Sequence, residues 1–376
     1  MIIAGEISGD MHGAKLVTAI RKIDTGIEFF GIGGDKMRAA GVDIHHDVKD
    51  MAVMGFVEVL RRIFFFRRVF LEMVALATAR KPDAVILVDY PGFNLRFAAE
   101  AHKLGIRVIY YICPQVWAWK RSRIPRMAET IDRLITIFPF EGKYFEGTGL
   151  RVDFAGHPLV DEAKKTWSEP DLNLVPDHHG FVALLPGSRL QVINRVLPVM
   201  WSAAALIEKR HPEMEFIVAA PTQAVKETLE NKIRMLADGP TRWSVVAGKT
   251  RHVLREARAA MVASGTATID ASLMLCPMVI VYKMAWLSHL LGRMFVKLDN
   301  IGMVNILAGR ELCPEFIQGN ATPIALAEGI EPLLHDGPQR SEILAGLKRV
   351  SAELGTGGAD ENAARVVIET LGNGRN

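Results

Sequence analysis

Asp89 follows directly on the apolar run Ala84–Val88, and Pro91-Gly92 turns the chain just after it. A carboxylate at the end of a buried strand loses hydration unless something uses it. It is therefore either a general base or an acid bonding its own loop's amides. A second constellation is LLPGSRLQ, residues 184–191. There Gly187 lets the backbone approach a ligand, Ser188 can cap the following helix, and Arg189 offers a planar donor fork suited to phosphate. A third is ASGTATID, residues 263–270. Gly265 and Thr266 would open a helix aimed at a diphosphate, with Asp270 one turn later on the same face, in reach of ribose hydroxyls. The plainer alternative is an ordinary capped helix.

AGEISGDMHGA, residues 4–14, joins a short strand to a glycine turn, and Asp10 can cap a helix carrying Leu16, Ile20 and Ile23. Free N–H groups at such a start attract anions or sugar hydroxyls, although most glycine turns after strands are only turns. GIGGDKMRAAG (31–41) reads GxGG and lacks the dinucleotide fingerprint. No DxD occurs, which disfavours that type of divalent-metal diphosphate clamp, and no GxSxG marks a nucleophile elbow. His45-His46-Asp47 looks metal-like, but adjacent histidines point apart, so a solvated loop is expected. His157 either lines a cleft or packs. Neither a metal nor a cofactor is expected.

Ile63-Phe64-Phe65-Phe66 lies between Arg61-Arg62 and Arg67-Arg68. Four successive helical positions, at roughly 100° each, span most of the circumference and cannot all face one core. Aromatics beside arginines suit an anionic membrane surface or an acyl-chain groove; burial by a second element or subunit is the alternative. MAWLSHLLGRMFVK (284–297), with Trp286 and Phe295, has the same character.

The elements that must position these residues alternate regularly. Apolar runs at Met1–Ala4, Glu28–Gly31, Ala84–Val88, Arg107–Ile112, Leu134–Phe138 and Arg151–Phe154 are separated by helical stretches. The series resumes at Phe181–Leu185, Glu215–Ala219, Trp243–Val246, Ala259–Val262 and Met278–Val281. Continuous apolar runs indicate strands buried on both faces, hence α/β architecture with parallel sheets. The polar segment Lys164–Gly180 reads as a linker, giving an N-terminal domain over 1–165, a linker over 166–180 and a second domain over 181–340. Each domain would present its strand ends to a shared cleft. A tail over 341–376 carries Ile343, Leu347 and Val350 on one helical face, a break at Gly355–Gly358 and a last helix.

The chain has 376 residues with 45 basic and 42 acidic side chains, a formal +3 that is too small to argue for nucleic acid. Hydrophobic residues at 49% exclude a disordered chain. Cys113, Cys276 and Cys313 are too scattered for a disulfide framework or zinc site, which fits a reducing compartment. No signal peptide is recognised, and the first strand is short, as a trimmed start would leave it. The stretches around Phe64 and Leu290 are interrupted well short of the roughly 20 apolar residues of a membrane span.

AGEISGD, GIGGDKM, AVMGFVEVL, VDYPGFN, PQVWAWK, FPFE, GHPL, LPGSR, ASGTATID with PMVIVYK, and NILAG with PEFIQ occur in one order over essentially the whole chain. In this the sequence resembles the lipid-A-disaccharide synthases, glycosyltransferase family 19. The resemblance implies a GT-B-like pair of Rossmann-like domains whose C-terminal helices return to the N-terminal domain, with exchange of those helices between two subunits. It implies that UDP-2,3-diacylglucosamine and 2,3-diacylglucosamine 1-phosphate give a β-1,6-linked disaccharide 1-phosphate and UDP, at the cytoplasmic face of a bacterial inner membrane. Carried over by motif, Asp89, Arg189 and Asn305 are the catalytic set.

Gly187, Ser188, Gly265, Thr266, Asp270, Tyr282 and Gln318 would then hold the UDP-sugar. Glu6, Ser8 and Asp10 would touch the acceptor, and Phe64, Phe65, Phe66, Arg67 and Arg68 the membrane or acyl chains. Lys120, Arg121 and Arg123 are unranked candidates for the acceptor phosphate. Relatives usually carry Glu where Val192 and Asp270 stand, and Leu-Pro where Met303-Val304 stands. The rivals are a UDP-sugar epimerase or hydrolase on the same frame and a non-catalytic lipid-binding scaffold.

Overall fold

The computed structural model describes residues 1–51, 63–175, 180–284 and 300–372. It divides into two units, Met1–Pro158 with Leu354–Asn376, and Leu159–Glu353.

The first unit is built on a seven-stranded parallel sheet. In chain order its strands are β1 Ile2–Ala4, β2 Phe30–Gly33, β3 Asp43–Asp47, β4 Ala84–Val88, β5 Arg107–Tyr111, β6 Arg133–Thr136 and β7 Arg151–Phe154. Their order across the sheet is β3-β2-β1-β4-β5-β6-β7. The second unit repeats the plan with six parallel strands: β8 Phe181–Leu185, β9 Glu215–Ala220, β10 Trp243–Ala247, β11 Ala259–Ala263, β12 Met278–Tyr282 and β13 Glu315–Ile317, ordered β10-β9-β8-β11-β12-β13. In both, winding reverses beside the first strand, between β1 and β4 and between β8 and β11. Loops at the carboxyl ends of such strand pairs diverge and leave a crevice, where ligands bind in open α/β sheets.

The continuous apolar runs became the central strands for the expected reason. Ala84–Val88, Phe181–Leu185 and Ala259–Ala263 are buried throughout, with helices on both faces. Two strands escaped sequence reading. β3, DIHHD, is a polar half-exposed edge, and β13 has three half-buried residues. Neither carries an apolar run. His45-His46-Asp47 is thus part of β3 and not a loop. His45 pairs with Asp43 at 3.2 Å and His46 with Glu72 at 3.0 Å, so each imidazole faces its own carboxylate.

The unit boundaries also differ from the sequence reading. The chain leaves the first unit at Pro158, before the polar stretch. Helix Leu159–Ser168 buries Val160, Ala163 and Thr166, and the Glu256 carboxylate accepts from the backbone N–H of Leu172 (2.7 Å) and Leu174 (3.2 Å). Polar composition there reflects a surface bonded to the second unit. Helix Pro338–Glu353 likewise stays with the second unit, burying Ile343, Leu347 and Val350, and Ser351 Oγ donates to Ser272 O at 2.9 Å. The last helix, Ala359–Gly372, returns to the first unit. It packs on helix Ile7–Ile23, and Glu369 pairs with Arg133 at 3.2 Å and Arg151 at 2.9 Å.

Among the described residues, helix Leu190–Arg210 is long and apolar enough to cross a membrane by length and composition. Its apolar face, including Ile193, Val196, Met200 and Ile207, is buried, and it packs on helix Pro323–Leu334. That is the pattern of a core helix covering a sheet.

Candidate active site

In the first unit, β4 ends in a strained turn. Asp89 and Tyr90 both adopt left-handed conformations, φ 46° and 50°, each costing roughly 1–3 kcal/mol unless the surroundings hold it. They are held. The Asp89 N–H donates to Tyr111 O at 2.9 Å, while the Asp89 carbonyl accepts from the Tyr110 hydroxyl (2.6 Å) and Asn94 Nδ2 (2.7 Å). Tyr90 lies over the end of β1, where a Cβ on Gly5 would fall 2.0 Å from its ring. Glycine is thus required at position 5 by close approach, not by its dihedral angles.

The Asp89 side chain is half-buried directly after β4, which neighbours β1 where the winding reverses. Burial, then the charge of Glu6, raise its pKa to about 6, against the lowering effect of the Tyr90 amide. One loop amide, that of Tyr90, serves the carboxylate, as the loop-bonding reading expects. Glu6 and Ser8 are exposed at the start of helix Ile7–Ile23, which has no side-chain cap.

Asp10 is a correction. It lies inside that helix, 5% exposed, and accepts from the backbone N–H of Gly34 (2.6 Å), Lys36 (3.1 Å) and Met37 (3.0 Å). It caps helix Asp35–Ala39, and three amides occupy the carboxylate that was expected to meet the acceptor. Sequence reading missed Glu141, which is buried and accepts from Trp117 Nε1 and Phe138 N, both at 3.2 Å. Burial raises its pKa to about 8 despite these bonds, with Asp89 adding to the rise. The signal was available: an acid in FPFE and a tryptophan in PQVWAWK have matching bonding needs. His157 packs, 5.0 Å from the Phe138 ring centroid, and burial lowers its pKa to about 4.

In the second unit, the loops after β8 and β11 line a cavity of about 620 Å³ with Gly187, Ser188, Arg189, Val192, Gly265, Thr266 and Asp270 among its walls. Gly187 has φ 98°, and a Cβ there would lie 3.1 Å from Val192 Cγ1, so a side chain would be strained. Helix Leu190–Arg210 begins after Arg189 with no side-chain cap, so Ser188 does not perform the expected capping. The uncapped first turn leaves N–H groups and the positive helix end toward an anion. Asp270 is not free: its Oδ1 accepts from Arg251 Nε at 2.7 Å. Burial nevertheless raises its pKa, with Arg251 opposing. Arg251, which also approaches Glu162 at 3.6 Å, was missed because its partners are distant in sequence.

Tyr282 and Gln318 are absent from this cavity's lining. Gln318 instead ties down the Met284 backbone at 3.2 and 3.3 Å. Asn305 is held in the interior of the second unit. It is 0% exposed. Its Nδ2 donates to Cys313 O (2.7 Å) and Glu315 Oε1 (2.8 Å), and its Oδ1 accepts from Leu312 N (2.9 Å) and Cys313 N (2.8 Å). All four of its hydrogen-bonding positions are thus filled from within the second unit. Asn305→Ala would strand buried backbone groups at about 1–3 kcal/mol each, lowering Tm by on the order of 10 °C. Calorimetry should show that drop, with kcat per folded molecule retained well below Tm. A stable protein without turnover would restore the catalytic role.

On helix Ile63–Arg80, Phe64 is 80% exposed and Arg67 and Arg68 are exposed. Phe65 and Phe66 differ from expectation: they are half-buried against the first unit's core, because Val69, Met73 and Ala77 set the inward face. Arg61, Arg62, AVMGFVEVL beyond Met51, and Trp286 and Phe295 lie outside the described residues. Among the described residues, His211, Glu331 and His335 are close enough to hold a metal ion, although Glu331 already pairs with Arg210 at 3.2 Å.

The family model described as Lipid-A-disaccharide synthetase matches residues 1–363. The chain belongs to the lipid-A-disaccharide synthase family. It is 39% identical over 374 residues to the Lipid-A-disaccharide synthase of Anaeromyxobacter sp. (strain K), covering 99% of this chain and 96% of that one. It is 38% identical over 379 residues to that of Geobacter metallireducens, covering 100% and 98%. Among solved structures it resembles a MurG from Acinetobacter baumannii (TM-score 0.55, 15% identity, 99% of both chains). It also resembles a UDP-GlcNAc 2-epimerase from Neisseria meningitidis bound to UDP-GlcNAc (TM-score 0.56, 10% identity, 97% of both chains). At those identities the likeness establishes the GT-B-like fold alone. Family membership makes the chain a glycosyltransferase of lipid A biosynthesis, which sets aside the epimerase and scaffold readings.

Proposed function

We propose that the enzyme transfers 2,3-diacylglucosamine from UDP to the 6-hydroxyl of 2,3-diacylglucosamine 1-phosphate with inversion, Asp89 taking the acceptor proton. The position of Asp89 carries this reading: a partly desolvated carboxylate in a strained turn, with a pKa of about 6, has the basicity that general-base catalysis near neutrality favours. Glu6 and Ser8 lie exposed at the neighbouring strand end, suited to sugar hydroxyls. In the second unit, Arg189 and the start of helix Leu190–Arg210 would offset charge growing on the departing diphosphate. Asp270 with Arg251 forms one wall for the nucleotide, and Gly265-Thr266 another.

Phe64, Arg67 and Arg68 support attachment to an anionic membrane surface, the arginines meeting phosphates while the ring enters the acyl boundary. Exchange of the last helix between two copies would keep its contacts with helix Ile7–Ile23 in a homodimer.

Incubation with UDP-2,3-diacylglucosamine and the monosaccharide 1-phosphate should release UDP and disaccharide in equal amounts. UDP without disaccharide would mean hydrolysis and would refute the proposal. With substrates in anionic vesicles, Phe64→Ser should lower transfer several-fold and spare it in detergent micelles. Equal loss in both would remove the membrane role.

A further inference from the structure

Three cations stand on the loop that follows β5, the strand paired with β4 through Val88 and Tyr111. Lys120 Nζ lies 4.4 Å from the Trp119 ring centroid, and the Arg123 guanidinium lies 5.6 Å from the same ring. The Arg121 guanidinium lies 5.1 Å from the Tyr144 ring. Trp119 is 40% exposed although it is a large apolar ring. Lys120 sits at φ 59°, a conformation unusual for a residue with a side chain.

Several arginines elsewhere in this unit answer a carboxylate: Arg133 pairs with Asp153, Arg80 with Asp43 at 3.1 Å and Arg38 with Asp35 at 2.8 Å. Among the described residues, no acid forms an ion pair with Lys120, Arg121 or Arg123. Aromatic faces hold them instead. A guanidinium lying on a ring keeps its N–H edge directed outward, free for bidentate bonding to an oxyanion.

The loop is fixed from beneath. Trp117, two residues before Trp119, is buried, donates its indole N–H to Glu141, and meets the Phe140 ring edge-on at 5.1 Å. Tyr110, on β5 ahead of this loop, donates its hydroxyl to the Asp89 carbonyl at 2.6 Å.

We infer that Lys120, Arg121 and Arg123 form a phosphomonoester site, on the loop after β5, that anchors the anomeric phosphate of the acceptor. The inference rests on the proposed acceptor role of the first unit and supplies its missing phosphate ligand. A phosphomonoester carries about −1.5 to −2 at pH 7 and three acceptor oxygens, matching a group of cations without acid partners. Trp119 suits the apolar side of a sugar or an acyl chain attached to it. Such a phosphate could come from the acceptor or from a bilayer headgroup, and the two sources separate experimentally.

The test uses the full chain and two soluble probes, short-chain diacylglucosamine 1-phosphate and the same sugar without its phosphate. Calorimetry gives Kd for each, in wild type and in the Arg121→Ala/Arg123→Ala double variant. Wild type should prefer the phosphorylated probe, and the variant should lose that preference by about 10²- to 10⁴-fold, the range for two charge-assisted hydrogen bonds. Arg121→Lys should retain part of it. UDP affinity and Tm serve as controls for folding, and the exposed single variant Lys120→Ala gives an independent reading. An unchanged Kd ratio overturns the site. So does a ratio that stays fixed while binding to phosphatidylglycerol vesicles falls, which would assign the cations to the bilayer. Failure of wild type to transfer sugar, with the Kd cycle as expected, would count against the proposed reaction and leave the phosphate site standing.

Discussion

Asp89→Asn lowers kcat by about 10²–10⁴-fold, the usual contribution of a positioned general base, and leaves UDP affinity within twofold. The amide keeps the shape of the turn, whose main-chain bonds to Tyr111, Tyr110 and Asn94 do not involve the carboxylate. The pH profile gives an independent check. A base works as the carboxylate, and both burial and Glu6 favour the neutral acid, so kcat/KM should fall as pH drops through about 6 and level off above it. Removing the like charge with Glu6→Gln should move that limb to lower pH. Wild-type turnover in Asp89→Asn, or a limb that ignores Glu6, would end the assignment.

Arg189→Ala lowers kcat by about 10²–10³-fold and weakens UDP, because a transition-state charge loses its donor. Arg189→Lys should recover only part, since a point charge replaces a planar fork. The contrast with Asn305 is instructive. Arg189 is exposed on the lip of a cavity, with the uncapped helix start beside it. Asn305 is buried and internally bonded. Single-turnover rates and UDP titration decide the case. Unchanged values for both would show that the cavity does not hold the diphosphate near Arg189.

Much of this was legible in the chain itself. Runs such as AVILV and FVALL announced buried parallel strands, and the polar turns after them marked the loops that carry Asp89 and Arg189. That logic is local: a strand covered on both faces has no polar position, so its pattern survives in sequence. It also explains the failures at the margins. DIHHD is an edge strand whose pairing depends on β2, and nothing in its own composition reveals this.

Roles within the site divided along the same line. The sequence by itself determined the two α/β units, the glycine turns at Gly187 and Gly265, and the placement of Asp89 and Arg189 at strand ends. Tertiary structure alone decided which polar groups were already satisfied. It turned Asp10 onto three amides, closed Asn305 around the segment Leu312–Glu315, joined Asp270 to Arg251, and half-buried Phe65 and Phe66 against the core while leaving Phe64 outside. A residue's type states what bonds it can make, but whether those bonds remain available to a ligand depends on neighbours that the fold brings from far along the chain.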